Sequence, residues 1–285
     1  MKQKTAKFIN VNGRLMDLSH PQVMGILNLT PDSFYAESRK RTEQEIAARA
    51  LQIVSEGGSI IDVGAYSSRP NADDVPAEEE MERLRRGLAI VFREVPDAVV
   101  SVDTFRADVA KMCVEEFGAA IVNDISAGEM DKDMFPVVAR LGVPYVMMHM
   151  QGTPQDMQRN PHYTHLLGEV LRYFSEKVQR LRDLGAKDLI LDPGFGFGKT
   201  LAHNYELLAG MEELAVFELP VLVGVSRKSM IYNLLECTPD DALNGTSVVN
   251  ALALTKGADI LRVHDVKPAV EAVKIVSAMN DNTTF

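Results

Sequence analysis

Residues 189–200 read LILDPGFGFGKT, and the fold turns on how that stretch is taken. An apolar run ends in Asp192, and behind it come Gly194, Gly196 and Gly198, then Lys199 and Thr200. The look is that of a phosphate loop, but the spacing is not. A Walker loop requires glycine five positions ahead of the Gly-Lys pair, and that position holds Pro193. The dinucleotide fingerprint fails as well, since the glycines run G-x-G-x-G. What remains is a buried strand ending in a carboxylate, then a loop whose backbone approaches a ligand closely.

The same design recurs along the chain. Short apolar runs lie at 23–28, 60–65, 99–104, 120–125, 145–150, 189–194, 221–226 and 260–265. They are β-branched and nearly continuous in apolar character, as parallel strands buried on both faces are. Between them the pattern predicts helices over 42–56, 77–94, 105–116, 131–141, 163–184, 202–213, 240–256 and 266–279. Thr42 and Glu45 have the spacing of a capping box and mark the start of the first. Strict strand–helix alternation implies right-handed crossovers and a parallel sheet. Eight such units close into an eight-fold α/β barrel, and no glycine fingerprint follows the first strand as an open doubly wound sheet would want. Ahead of the barrel, KFINV and RLMDL flank Asn12-Gly13, a hairpin signal, and such a hairpin can cover the barrel's bottom.

The 285 residues suit one barrel, a single α/β domain. A net charge of −10 argues against a general nucleic-acid or anionic-membrane partner, though a local basic cluster still permits an anionic small substrate. Cys113 and Cys237, the only cysteines, form no C-x-x-C, so neither a disulfide framework nor a zinc knuckle is implied. The N-terminal stretch has no apolar signal core, and a cytoplasmic location is expected.

Every strand run carries a polar group near its C-terminal end: Asn28, Asp62, Asp103, Asn123, His149, Asp192, Ser226, and the pair Arg262 and His264. One such residue is ordinarily a helix cap. A full set marks the barrel rim where active sites sit. Side chains repeat every two residues on a strand face, so Arg262 and His264 point together, as do Ser226 and Lys228 if the seventh strand continues. That sector is cationic and suits phosphate. The opposite sector, Asp103, Asn123 and Asp192, suits either Mg²⁺ or a flat heterocycle with adjacent N–H donors, since a carboxylate only accepts. Two long loops on the same rim, 28–41 and 67–80, have the length of lids. His20, His162, His165 and His203 lack partner spacing and are expected to be structural or solvent-facing, and Lys199 to face solvent or start a helix.

The residues after the strands read, in order, LNLTPDSF, SSRP, SVDT, VNDIS, MHMQGTP, DPGFGFGK, GVSRKS and LRVHD. With these motifs the chain resembles the dihydropteroate synthase family over residues 23–278. The resemblance implies a pterin-binding barrel of one domain over 1–285, with the hairpin at 1–20, the barrel at 23–279 and a tail at 280–285. It implies an enzyme that joins 6-hydroxymethyl-7,8-dihydropterin diphosphate to p-aminobenzoate, releasing diphosphate, with Mg²⁺ as cofactor and a homodimer through the last helices. Matching residue by residue, Asp103, Asn123, Asp192 and Lys228 would bind the pterin. Asn28, Arg69, Arg262 and His264 would hold the diphosphate, with Asn28 also at the metal. Phe34, Ser68, Arg69, Pro70, Phe197 and Ser226 would surround p-aminobenzoate, where sulfonamides inhibit the family. Asn28, Asp103, Lys228, Arg262 and His264 would carry the chemistry.

This chain departs from the family pattern in its first two loops. SFYAESR places Ala36 at the usual acidic position, with Glu37 the nearest carboxylate, and GAYSSRPN has Ser68 for threonine and Asn71 for glycine. Two other readings share the pterin carboxylates: a non-catalytic pterin-binding homologue, and a methyltetrahydrofolate-dependent methyltransferase domain. Neither needs the set Asn28, Arg69, Lys228, Arg262 and His264, all of which are present.

Overall fold

Phe8–Val11 (β1) and Arg14–Asp17 (β2) pair antiparallel around Asn12 and Gly13, whose φ angles of 52° and 79° are those a tight primed turn requires. This is the expected hairpin. The computed structural model describes residues 7–29, 36–66, 75–153 and 155–280, with 36–41 and 280 as backbone only.

Eight parallel strands follow: β3 (Gln22–Asn28), β4 (Ile60–Gly64), β5 (Val100–Asp103), β6 (Ile121–Asp124), β7 (Tyr145–Met148), β8 (Leu189–Asp192), β9 (Leu222–Val223) and β10 (Ile260–Val263). Their order is β8-β7-β6-β5-β4-β3-β10-β9. The ring closes where Leu191 bridges Val221, its N–H donating to the Pro220 carbonyl at 2.8 Å. Helices run outside: α1 (Ala36–Ser55), α2 (Ala77–Glu94), α3 (Ala107–Phe117), α4 (Met134–Leu141), α5 (Leu166–Asp183), α6 (Leu201–Gly210), α7 (Ser229–Tyr232), α8 (Leu243–Thr255) and α9 (Val266–Asn280). A 3₁₀ stretch, Met211–Phe217, extends α6. Among the described residues no helix is long and apolar enough to cross a membrane.

The two-residue period sorts each strand between two cores. Val63, Val102, Val122, Leu191, Leu261 and Val263 pack outward with the helices. Met24, Ile60, Ile121, Val146, Ile190, Leu222 and Ile260 point inward and form a second cluster with Ile9, Val11 and Leu18 of the hairpin. The hairpin therefore stops the barrel's N-terminal end. Burying each of those three side chains is worth about 1.5–3 kcal/mol. Lys7 Nζ fastens the hairpin's base, donating to Asp259 Oδ2 (2.8 Å) and to the Leu219 carbonyl (2.9 Å). Two residues further along β4, β5, β6, β8 and β10 the inward positions turn polar, at Asp62, Ser101, Asn123, Asp192 and Arg262.

Some boundaries differ from the sequence expectation. The first helix starts at Ala36 rather than 42, so Thr42 and Glu45 lie inside it and do not open it. The intervening AESRKR consists mostly of good helix formers, which extends the helix backward. The fifth helix starts at Leu166, where the His165 side chain accepts from the Gly168 N–H (3.2 Å). His203 completes a reciprocal cap with Thr200 at α6. Both histidines are structural, as expected.

Candidate functional site

The C-terminal ends of the strands carry one connected set of charges. Register makes Asp103 the direct neighbour of Asn123, and Gly64 the neighbour of Asp103 on its other side. Arg262 reaches across from β10. Its Nε donates to Asp62 Oδ2 and its terminal nitrogen to Asp103 Oδ2, both at 2.6 Å. Asn123 Nδ2 donates to the same Asp62 carboxylate at 3.3 and 3.4 Å. Asp62 is completely buried, so an ion pair is what makes its charge tolerable there.

Asp192 lies on the adjoining arc. Its Oδ1 accepts from the Gly194 N–H at 2.8 Å, which fixes the carboxylate at the root of the β8–α6 loop. Lys228 stands opposite that loop, donating to the Phe195 carbonyl at 2.5 Å, with its ammonium 4.6 Å from the centre of the Phe197 ring. Phe197 borders an apolar patch of Phe105, Ile125 and Met148. Ser226 Oγ accepts from the His264 N–H and also meets His264 Nδ1, both at 3.1 Å. A flat molecule with N–H donors on its edge and an anionic arm matches acceptors on one side and cations on the other.

Burial sets the protonation of these groups. It pushes the Asp103 carboxyl up to about 7; Arg262 opposes this, while Asp62, Glu80 and Asp124 add to it. Burial likewise raises Asp192, against the pull of Lys228. It lowers Lys228 to about 8 and His264 to about 4, the latter with help from Arg262. For Arg262 burial acts downward, but Asp62 and Asp103 outweigh it and hold the guanidinium above its ordinary range. His264 is therefore a neutral donor at pH 7 and Arg262 a fixed cation.

Residues 24–264 match the pterin binding enzyme family. The dihydropteroate synthase of Escherichia coli K12 is 44% identical over 268 residues, covering 93% of this chain and 94% of that protein. The Yersinia pestis dihydropteroate synthase, solved in complex with a sulfonamide drug, superposes with a TM-score of 0.88 at 41% identity, over 96% of this chain and 100% of that one. The Xanthomonas albilineans enzyme, solved with 4-aminobenzoic acid, gives 0.86 at 37% identity, over 97% and 99%. The chain belongs to the dihydropteroate synthase family. It is a transferase of folate biosynthesis built on a TIM barrel.

Against the positions that the synthase motifs single out, the structure brings Asp103, Asn123, Asp192, Lys228, Arg262, Ser226, Phe197 and His264 to one end of the barrel. Asn28 ends β3 on the same rim and is exposed. Phe34, Ser68, Arg69 and Pro70 lie outside the described residues, as does the side chain of Glu37. Lys228 arrives differently from expectation. β9 stops at Val223, and a turn with Arg227 at φ 54° carries the chain to Lys228. Arg227 is locked by both oxygens of Asp265, at 2.8 and 3.0 Å.

Lys199 does not face solvent: it is 3% exposed, and its ammonium lies inside the β8–α6 loop. Two other residues escaped a role in the sequence reading. Asp62 was visible as a strand-end carboxylate, but only the barrel shows it beneath Arg262 and Asn123. Glu80, fully buried on α2, binds Thr104 Oγ1 (2.7 Å) and Arg106, and nothing in its helical context signals that.

The raised Asp103 gives a first prediction. A carboxyl lifted from about 4 to about 7 by folding costs stability as pH rises through that window, because the unfolded chain ionises first. Asp103→Asn keeps an acceptor for Arg262 and removes that cost. Its melting temperature should exceed the wild type's at pH 8, with the difference shrinking toward pH 4. An equal difference at pH 8 and pH 4.5 would show that Asp103 is not under this strain.

Proposed function

We infer that this chain condenses 6-hydroxymethyl-7,8-dihydropterin diphosphate with p-aminobenzoate, giving 7,8-dihydropteroate and diphosphate, with the residues named above in specific roles. The observation that carries the reading is one connected cluster of acceptors (Asp103, Asn123, Asp192) and cations (Lys228, Arg262) on one rim. The acceptors take the N–H donors of the pterin edge. Arg262 uses different nitrogens for its two carboxylates, so it can release Asp103 to the pterin and keep Asp62. The bond between the pterin methylene carbon and the diphosphate oxygen breaks, and its electron pair leaves with diphosphate. The delocalised pterin cation is steadied by the anionic sector. The amine lone pair of p-aminobenzoate then forms the new C–N bond, and the nitrogen sheds a proton. No enzyme nucleophile takes part. Phe197 and Ser226 border the place from which the amine approaches.

Asn28, Arg262 and neutral His264 would receive the leaving diphosphate. Among the described residues no group of three acidic, histidine or cysteine side chains could hold a metal ion. Mg²⁺ fits this rim as an ion borne mainly by the diphosphate, with the Asn28 amide oxygen as a hard protein ligand, since Mg²⁺ favours phosphate oxygens plus one or two protein oxygens. When bound it would neutralise charge growing on the leaving group. Residues 1–285 would act as one pterin-binding unit in the cytoplasm. A homodimer is supported by exposed apolar side chains on the last two helices, among them Val248 and Leu252 on α8 and Ile275 and Met279 on α9.

The test is diphosphate release in the presence of the pterin diphosphate, Mg²⁺ and p-aminobenzoate, with dihydropteroate identified as product. Chelation should stop it, and Asn28→Ala should raise the Mg²⁺ needed for half-maximal rate about tenfold, as loss of one neutral ligand implies. Micromolar enzyme that binds pterin and forms no dihydropteroate would leave a non-catalytic homologue instead.

A further inference from the structure

Lys199 is the one lysine in the chain's most distinctive motif, and the reaction as described gives it no part. Its surroundings are unlike those of a structural surface lysine. The ammonium donates to the carbonyls of Gly194 (2.9 Å) and Phe197 (3.1 Å) and to His149 Nδ1 (3.0 Å), with the His149 carbonyl at 3.4 Å. Three N–H donors meet three close acceptors, which is the condition for keeping a charge out of water. Burial lowers Lys199 to about 7 against the pull of Asp192; while it is protonated the histidine must present a bare Nδ1 to it, so His149 is then neutral with its proton on Nε2. Burial and then Lys199 itself hold it well below the usual histidine range.

The loop between Asp192 and Lys199 is wound tightly to make this site. Gly194, Gly196 and Gly198 all have positive φ, at 70°, 82° and 59°. A Cβ on Gly194 would lie 1.9 Å from the His149 carbonyl oxygen, so only glycine lets the loop press against the end of β7. The winding turns the carbonyls of residues 194 and 197 toward Lys199 and that of Phe195 the opposite way, onto Lys228. The loop is thus gripped from behind by one ammonium and meets the other in front. Gly196 also approaches the Lys228 stem, where an added Cβ would stand 3.2 Å from Cδ.

We propose that Lys199 is a positioning residue for the synthase reaction: by ordering the carbonyls of 194 and 197 it fixes the Phe195 carbonyl and the Phe197 ring, and these two place Lys228 toward the pterin. It touches no substrate. The proposal rests on the reading that Lys228 serves the pterin. Asp192, which accepts from Gly194 N–H, is set by the same loop, so part of the acceptor side is ordered with it.

A double-mutant cycle between Lys199→Met and Lys228→Met separates positioning from general support of the fold. It is read in pterin affinity by calorimetry and in kcat with p-aminobenzoate saturating. Lys199→Met in the wild-type background should lower both about thirtyfold or more, with KM for p-aminobenzoate within about threefold of wild type. In the Lys228→Met background the same change should cost less than about threefold, because the residue it acts through is gone. Equal factors in the two backgrounds would overturn the proposal, as would an unchanged pterin affinity in Lys199→Met. If Lys199→Met lacks a cooperative melt, His149→Leu runs the same cycle with the ammonium kept and one acceptor removed. About fivefold in the wild type and under twofold with Lys228→Met is then expected, and additivity sinks the idea. Reading pterin affinity apart from turnover keeps the two claims distinct: coupling without turnover would spare Lys199 and remove the synthase reading.

Discussion

Asp192→Ala is expected to abolish measurable pterin binding while leaving the barrel folded. The carboxylate accepts the Gly194 N–H with one oxygen and keeps the other for the rim. Hydrogen bonds to a charged group are worth about 1.5–3 kcal/mol each, so losing the pterin contacts predicts at least a hundredfold weaker binding. Two further effects act in the same direction. The Gly194 N–H loses its partner at the loop root, and Lys228 and Lys199 both lose the anion that favours their charged forms. Asp192→Asn removes only the loop-root effect, since its amide oxygen still accepts from Gly194, while it offers the pterin one donor where an acceptor is needed and loses the anion as Asp192→Ala does. Calorimetry with the pterin is the measurement. Unchanged affinity in Asp192→Ala would remove the residue from the pterin site.

The second large effect concerns stability as well as rate. Arg262→Met leaves Asp62 and Asp103 facing each other without a cation. Breaking a buried pair by removing one partner costs about 3–5 kcal/mol. Asp103 is 22% exposed at its side chain, so solvent relieves part of this and the lower end is expected. For a chain of this size that corresponds to a melting temperature lower by roughly 5 °C. The loss should be greatest at pH 8 and smaller at pH 5, because Asp103, already lifted to about 7 with Arg262 present, takes a proton and removes one of the two charges. Asp62→Asn added to Arg262→Met should restore part of the stability and none of the turnover. A deficit that stays constant from pH 8 to pH 5 would mean the pair is not electrostatically strained.

Much of this rim was legible in the sequence because strands enforce a two-residue period and end where the active site begins. Asp103, Asn123, Asp192 and Arg262 are each the polar break at the end of an apolar run, and the fold brings them together. The hairpin was equally clear, since Asn12-Gly13 tolerates the positive φ that the turn demands. What escaped depends on contacts remote in the chain. Lys199 follows a glycine loop and precedes a helix, and only the fold of that loop around His149, fifty residues earlier, buries it. Lys228 was placed on the correct side for an inexact reason: the strand that was to carry it ends five residues before, and the turn at Arg227 delivers it. Thr42 and Glu45 had the spacing of a helix start but not its position, because nothing in AESRKR stops the helix from beginning sooner.

The hairpin that stops one end of the barrel also governs traffic. Ile9, Val11 and Leu18 pack against the inward side chains of the strands and plug the far end, so a ligand reaches the site from the charged rim. Depth then dictates sequence. A pterin ring lodged beside Asp103 and Asn123 would have to arrive before p-aminobenzoate resting on Phe197, and would leave joined to it. The packed barrel floor, hairpin included, would thus set the order in which the two substrates enter.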